Sequence, residues 1–309
     1  MKEAASAETR ERPRQDAASA KAAADAWPYR WDLLLRYRYI ETIVLWEGRL
    51  TTGHLSRCFG IGRQQASRDI NVYARDIAPG NIEYDKYLKG YRPGKDFTPR
   101  VTRGTADEYL HLMTRHEQLM GVFEALPLVT ANVEQLAAPT REVSPAILRP
   151  LIQAARQGMR LEVDYVSLQN PDREGRIIVP HTLVFTGFRW HVRAWCEKNQ
   201  SFRDFVLSRF RGEAEILDAS PRCAGDDEDW QRLVDVRITA DPRLDKPQRE
   251  VVETDYGMSD GELRLRSRAT LVTYLLQRLQ LDPGGLHDNP LAQQIVLANR
   301  DELSPYIFA

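Results

Sequence analysis

The sequence predicts an α+β chain: an N-terminal winged helix-turn-helix, a helical connector, a small Sm- or SH3-like β-barrel and a C-terminal α/β extension. Three observations predict it. A short helical segment, a Gly60-Ile61-Gly62 turn, a longer amphipathic helix and a basic hairpin follow one another up to Gly94. Residues 144–220 then read as one helix followed by short segments of alternating polarity. Charge is also unevenly spread. Residues 28–98 carry 12 Lys+Arg against 8 Asp+Glu, whereas residues 226–309 carry 10 against 16. A basic front on an acidic chain is the arrangement expected when only the front meets nucleic acid.

Composition narrows the class. A chain of 309 residues, 42% hydrophobic and 28% charged, has room for two or three domains of ordinary globular character. No apolar run approaches the roughly 20 residues that span a bilayer, so no membrane partner is expected. Residues 1–26 are Ala-rich and charged throughout, which predicts a disordered tail rather than a secretory signal. Cys58, Cys196 and Cys223 are scattered, with no CxxC, which argues against disulfides or zinc and for a reducing cytoplasm. His111 and His116 lack the HExxH arrangement. No metal and no cofactor is expected.

The first domain is placed at residues 27–98. Its first helix runs from about Tyr29 to Trp46, with Leu33, Leu34, Tyr37, Ile40, Ile43, Val44 and Leu45 on its apolar face and Gly48 at its end. A short second helix fits TTGHLSRCF, capped by Thr51 or Thr52. The third, in RQQASRDINVYARDI, turns Ala66, Ile70, Tyr73 and Ile77 inward and Gln64, Arg68, Asn71 and Arg75 outward. Arg, Gln and Asn are the side chains that bond guanine and adenine edges in pairs. With Arg63, Gln65 and Ser67 they make the expected DNA-contacting helix. A wing in NIEYDKYLKGYRPG would bring Lys86, Lys89, Tyr91 and Arg92 near phosphates. The plainer reading of the same helix is an amphipathic element with a solvated face.

Residues 99–143 form the connector, with a helix over 104–125 and a linker in PLVTANVEQLAAPTREV. Ser144-Pro145 opens the next helix, ILRPLIQAARQG, which Pro150 can kink and Gly158 ends. Strands follow in RLEVDYVSL and RIIVPHTLVFT, then in the hairpin GFRWHVRAWCEKNQSFRDFVLSRF, then in EAEILDA. On the first hairpin strand Phe188, Trp190, Val192 and Ala194 share one face, and Arg189, His191, Arg193 and Trp195 the other. On the second, Arg203, Phe205, Leu207 and Arg209 share a face. The charges of these faces are almost all positive, which makes either a charged surface or a pocket for an anion.

The last region, residues 226–309, starts on a strand in DWQRLVDVRIT, continues through a helix in PRLDKPQREVVETDYG and ends with LRLRSRATLVTYLLQRLQL as strand and helix. Leu271, Tyr274, Leu275 and Leu279 make an apolar stripe suited to core or dimer interface. The acidic run at 226–229 follows a glycine and reads as a solvated linker rather than a metal site.

The helix, LEVDYVS, a strand carrying VPH, GFRWHVRAWC and FRDFVLSRF, in that order, resemble the WYL domain of bacterial transcriptional regulators. From about Trp27 onward the chain resembles the CapW/BrxR family of WYL repressors, with RQQASRDI and RWHVRAWC supporting that subgroup. One departure is plain: the triplet that names the domain, Trp-Tyr-Leu, is Trp190-His191-Val192 here. The resemblance implies a ligand-sensing WYL domain at 144–220 and a dimerisation domain at 226–309. It also implies a repressor beside a phage-defence operon of CBASS or BREX type.

The expected partners are double-stranded operator DNA, a second copy of the chain, and a nucleic-acid or nucleotide effector. The effector set is Arg193, Arg203 and Arg209 for phosphate, Trp190, Phe205 and Tyr165 for bases, and Ser167, His181 and His191 for polar contacts. Trp190 and Arg193 cannot face the same way on an unbulged strand, so register decides between them. The competing reading makes Trp190 and Phe205 core and pairs the arginines with Asp164 and Asp204. Arg264, Arg266 and Arg268 either lend charge to the pocket or line a solvated edge. No Walker A loop, GxSxG or nuclease carboxylate cluster is present. The chain is therefore read as a regulator rather than an enzyme, the alternative being a nucleic-acid-processing enzyme that uses the WYL region as a sensor.

Overall fold

The structure, a computed structural model, describes residues 30–120, 136, 139–169, 171, 173–282 and 285–307. The expected tail over 1–26 and most of the expected linker after residue 126 lie outside the described residues. The chain divides into two compact units, Met1–Ala137 and Ala138–Ala309.

In the first unit, α1 (Trp31–Glu47) ends at Gly48, whose φ of 68° is the left-handed conformation that a Cβ disfavours. Helix α2 (Thr52–Phe59) starts where the Thr51 N–H donates to His54 Nδ1 at 3.0 Å. Helix α3 (Arg63–Val72) follows the glycine turn and continues as a π-helical turn over Tyr73–Ile77. Ile40, Ile43, Leu55, Ala66, Ile70 and Tyr73 are fully buried together, so the expected inward face of α3 is the face that packs. The wing is β1 (Ile82–Asp85) paired antiparallel with β2 (Gly90–Pro93). Its turn is held by the Asp85 carboxylate, which accepts from the Tyr87 and Leu88 N–H groups at 2.8 and 3.0 Å. Gly90 is required where β2 passes α1's exit: a Cβ there would meet Leu50 O at 2.8 Å.

A buried carboxylate ties this unit together. Glu41 of α1 is fully buried and accepts from Tyr73 Oη at 2.7 Å, from the Arg100 and Thr102 N–H groups at 2.9 Å each, and from Thr102 Oγ1 at 2.6 Å. A buried charge is tolerable only with such complete bonding. It fixes the end of the α3 segment and the exit of the wing to one point on α1. Helix α4 (Ala106–Met120) follows, and Arg38 of α1 pairs with its Glu108.

The second unit opens with α5 (Pro145–Gln157), capped by Ser144, whose side chain accepts from the Ala146 N–H at 3.2 Å. Ile147, Leu151 and Ala154 recur at helical spacing and pack on one face of an antiparallel sheet. Its strands are β3 (Met159–Tyr165), β4 (Glu174–Phe185), β5 (Trp190–Cys196), β6 (Ser201–Val206) and β7 (Phe210–Ala219), in the order β6-β5-β4-β3-β7. The expected barrel is not closed: among the described residues no ladder joins the edge strands β6 and β7. A single 3-10 turn, Leu207–Arg209, carries the chain from one edge to the other. That is possible only if the sheet curls, and the edge strand β6 does reach β3, the neighbour of β7, at one corner, where the Val206 N–H donates to Tyr165 Oη at 3.1 Å. The turn also ends the alternation expected through Arg209.

Beyond β7, α6 (Glu228–Gln231) leads to β8 (Leu233–Ala240), α7 (Lys246–Asp255), β9 (Glu262–Arg268), α8 (Val272–Arg278), β10 (Ile295–Leu297) and α9 (Arg300–Leu303). The sheet order is β10-β8-β9. Val236, Ile238, Val272, Leu276 and Ile295 form its buried core, with Leu275 and Leu279 against it. Half of the expected apolar stripe is therefore spent inside this region.

Candidate nucleic-acid interface and effector face

Helix α3 exposes Arg63, Gln64, Arg68, Asn71 and Arg75. Gln64, Arg68 and Asn71 form a continuous outward row because the helix buries Ala66 and Ile70 on its other side. Gln65 and Ser67 are half-buried. Gln65 Nε2 donates to Asp69 Oδ1 at 2.7 Å, and Asp69 in turn pairs with Arg36 of α1 at 2.7 Å, so the Gln65 amide is held rather than loose. Arg75 lies in the π-helical turn and shares its guanidinium with Asp76 at 2.7 and 2.8 Å. Lys86 and Lys89 are exposed at the wing tip. Tyr91, expected near phosphate, instead packs half-buried against the domain core and meets Tyr84 edge-on at 5.4 Å. Arg92 is paired with Glu83 at 2.9 Å. Tyr87, 98% exposed between the wing lysines, was not singled out from the sequence, since a lone surface aromatic carries no periodic signal.

On the curled sheet the register settles the question left open by the hairpin. Val192, Ala194 and Cys196 of β5 face the core beneath α5, so His191, Arg193 and Trp195 face the other way. Cross-strand pairing sets Arg193 opposite Asp204 and Val192 opposite Phe205. Two expected stacking platforms are thereby corrected. Phe205 and Tyr165 are 2% and 5% exposed, packed edge-on at 5.0 Å in the core, and present no face to a base. Trp190 is the opposite case. It is at the mouth of β5, 50% exposed, with Phe185 tilted against it at 5.0 Å.

The expected cluster of three free arginines is also corrected. Arg203 is exposed on the parity of Phe205, away from Arg193, and its Nε donates to Ser201 Oγ. Arg209 is half-buried in the 3-10 turn. Arg193 is buried and ion-paired twice, to Asp204 (Nη1 to Oδ1, 3.4 Å) and to Asp227 (Nε to Oδ2, 2.7 Å; Nη2 to Oδ1, 3.1 Å). His181 joins this group through a bulge: Pro180 pairs with Ala194 and Thr182 with Arg193, so His181 is the extra residue. Its Nε2 donates to Asp227 Oδ2 at 3.2 Å, and its Nδ1 is 2.8 Å from Thr182 Oγ1. Ser167 is half-buried just past β3.

Asp227 belongs to the run read as solvated linker; Asp226, Glu228 and Asp229 are exposed as that reading has it, but at Asp227 the structure overturns it. Its side chain is 2% exposed. Burial works against its ionisation, but His181, Arg193 and the Trp230 N–H hold its carboxyl well below the usual carboxylate range. Burial outweighs the arginine at Asp204, whose carboxyl is pushed up and accepts from Tyr274 Oη at 3.1 Å. The local signal in the sequence was an N-cap: Asp227 accepts from Trp230 at the start of α6.

The remaining basic groups form a second, more open part of the same face. His191 is 2% exposed, lies over Tyr274 at 5.0 Å, and its Nδ1 has no hydrogen-bond partner. Burial, with Arg189 and Arg209 adding to it, pulls the imidazole down to about 4, so His191 is neutral. Beside it a cavity of about 180 Å³ is lined by Val184, Phe185, Thr186, Leu271, Tyr274 and Arg278. No described carboxylate pairs with Arg189, Arg209 or Arg278. Among the described residues no cluster of His, Cys, Asp or Glu could hold a metal ion, and no helix is long and apolar enough to cross a membrane.

A glycine-turned helix pair with a wing, followed by a curled five-stranded sheet and a three-stranded α/β region, defines the class of winged-helix WYL-domain regulators. Family profiles match in that order. The BrxR transcriptional regulator winged helix-turn-helix domain covers residues 32–115, the WYL domain 146–214, and the BrxR C-terminal dimerization domain 233–303. The chain is 34% identical over 278 residues to the DNA-binding transcriptional repressor CapW of Escherichia coli (strain KTE188), covering 89% of this chain and 91% of that one. It is 31% identical over 279 residues to CapW of Stenotrophomonas maltophilia and 34% over 282 residues to CapW of Pseudomonas aeruginosa, each at 90% and 93% coverage. The chain belongs to the CapW/BrxR family of transcriptional repressors.

Proposed function

We propose that the chain is a homodimeric repressor that reads an inverted-repeat operator with α3 and the wing, and that an anionic nucleic-acid or nucleotide effector on the WYL sheet releases it. The observation that carries the DNA-reading part is the outward row Gln64, Arg68, Asn71 on a helix that opens at a glycine turn. Arg63, Ser67, Lys86 and Lys89 flank it as phosphate contacts, with Gln65 and Arg75 oriented by their own carboxylate partners. The C-terminal region, matched by a dimerization profile, supplies the two-fold.

For the effector, support comes from cations without described partners, Arg189, Arg209 and Arg278, beside the exposed rings of Phe185 and Trp190. An anion drawn to this basic face, with a base on Trp190, is the chemistry that fits. Trp190→Ala should weaken a short single-stranded oligonucleotide by about 1–3 kcal/mol in fluorescence anisotropy; unchanged affinity would remove the stacking site. The controlled genes are proposed to be a phage-defence operon, on the strength of the family resemblance. A reporter fused to the upstream promoter should be silent with the wild-type chain and induced on phage challenge; expression indifferent to both would dispose of that assignment.

A further inference from the structure

We infer that Asp227 is an internal anion occupying the basic centre of the WYL sheet, and that an effector phosphate acts by displacing it and so releasing the segment that leads into the dimerisation region. The inference rests on the proposed reading that the effector is anionic. It adds where the phosphate goes and what it moves.

The centre is built as an anion site and is already full. Arg193 presents two nitrogens of its fork to the two oxygens of Asp227, which is the geometry by which guanidinium binds phosphate. A bulge, not simple alternation, aims His181 at the same carboxylate. The ligand to this site comes from 34 residues downstream of Arg193, on the short stretch between β7 and β8 that holds a 3-10 turn, Ala224–Asp226, and the four-residue α6. A carboxylate carries one charge and two oxygens; a phosphate brings three strong acceptor oxygens and up to two charges. It is therefore a natural competitor for the same donors.

Displacement has a defined consequence. Asp227 is also the cap of α6, and α6 runs directly into β8. Trp230 of α6 is clamped by Arg268 of β9, whose guanidinium lies over the ring at 4.5 Å and bonds the Trp230 carbonyl. Freeing Asp227 thus loosens the joint between the WYL sheet and the β8–β9 ladder. Such a ligand shifts operator affinity only because it favours the released arrangement over the latched one.

Asp227→Asn tests this with the full chain, since asparagine keeps the cap and the shape and removes the charge. The probes are inorganic phosphate, a 5′-mononucleotide and a 5′-phosphorylated single-stranded oligonucleotide, titrated by calorimetry into both proteins. The variant should bind whichever of them the wild type binds about tenfold more tightly, a typical coupling. It should also bind operator more weakly. Equal affinity in the two proteins leaves an anionic effector standing and overturns the latch. No binding of any probe to either protein removes the anionic effector and the latch with it. A measurement on the wild type alone guards against a variant that fails to fold. Hydrogen exchange at residues 228–232 should speed up when a binding probe is added, and unchanged exchange under saturation overturns the latch.

Discussion

Arg68 is at the middle of the exposed row of α3, between Gln64 and Asn71. Arg68→Ala is expected to cost roughly 1–3 kcal/mol of specific binding, read in a gel-shift titration against operator and scrambled DNA. Lys89→Ala in the wing should instead weaken both DNAs alike and reduce the salt slope by about one. His191 gives a pH signature. Its folded value of about 4 lies below the ordinary 6.5, so between those limits the unfolded chain binds a proton that the folded chain does not. Stability is full above 6.5 and falls as pH drops toward 4; from pH 7 to 5 the loss is about 2 kcal/mol. His191→Phe should lack that loss when urea midpoints are compared at the two pH values. Exposed residues of α3 such as Arg68 and Asn71 were legible because helical spacing fixes which face they take. Arg193 was legible in part: the competing reading pairs the arginines with Asp164 and Asp204, and Arg193 does meet Asp204, but alternation assigns it a face without saying that Asp227 covers that face.

Among the elements, the helices of the first unit and the strands of the hairpin follow from periodicity alone. In α5 the spacing of Ile147, Leu151 and Ala154 names the buried face, and Leu151 has no exposure at all. Leu151→Ala should therefore destabilise the second unit by about 2–5 kcal/mol, measured by thermal or urea unfolding; a loss under about 0.5 kcal/mol, the level of an ordinary surface change, would contradict that packing. On β5 the alternation of Val192 and Ala194 against His191 and Arg193 is the alternation observed. It fails on β6, where the strand stops at Val206 and a 3-10 turn takes Arg209 out of register with Phe205. The bulge at His181 was equally hidden, since a bulge is a property of two paired strands and leaves one strand's sequence unchanged. The acidic run misled for a related reason. Composition describes how such runs usually behave, whereas Asp227 is buried by partners that only the tertiary fold brings to it.

For the whole molecule, the proposed homodimer would carry two copies of the winged helix, one from each chain. One such unit contacts few base pairs, so full affinity should require both. Light scattering should return twice the mass of the 35.5 kDa chain. The most direct test is a footprint of the full chain on the DNA upstream of its own gene, with Arg68→Ala run in parallel. The expected result is two protected half-sites in inverted repeat, their centres about 10 base pairs or a multiple apart, lost in the variant. Protection no better than on unrelated DNA, or a footprint that the variant reproduces at equal affinity, would contradict the assignment of α3 as the helix that reads the operator.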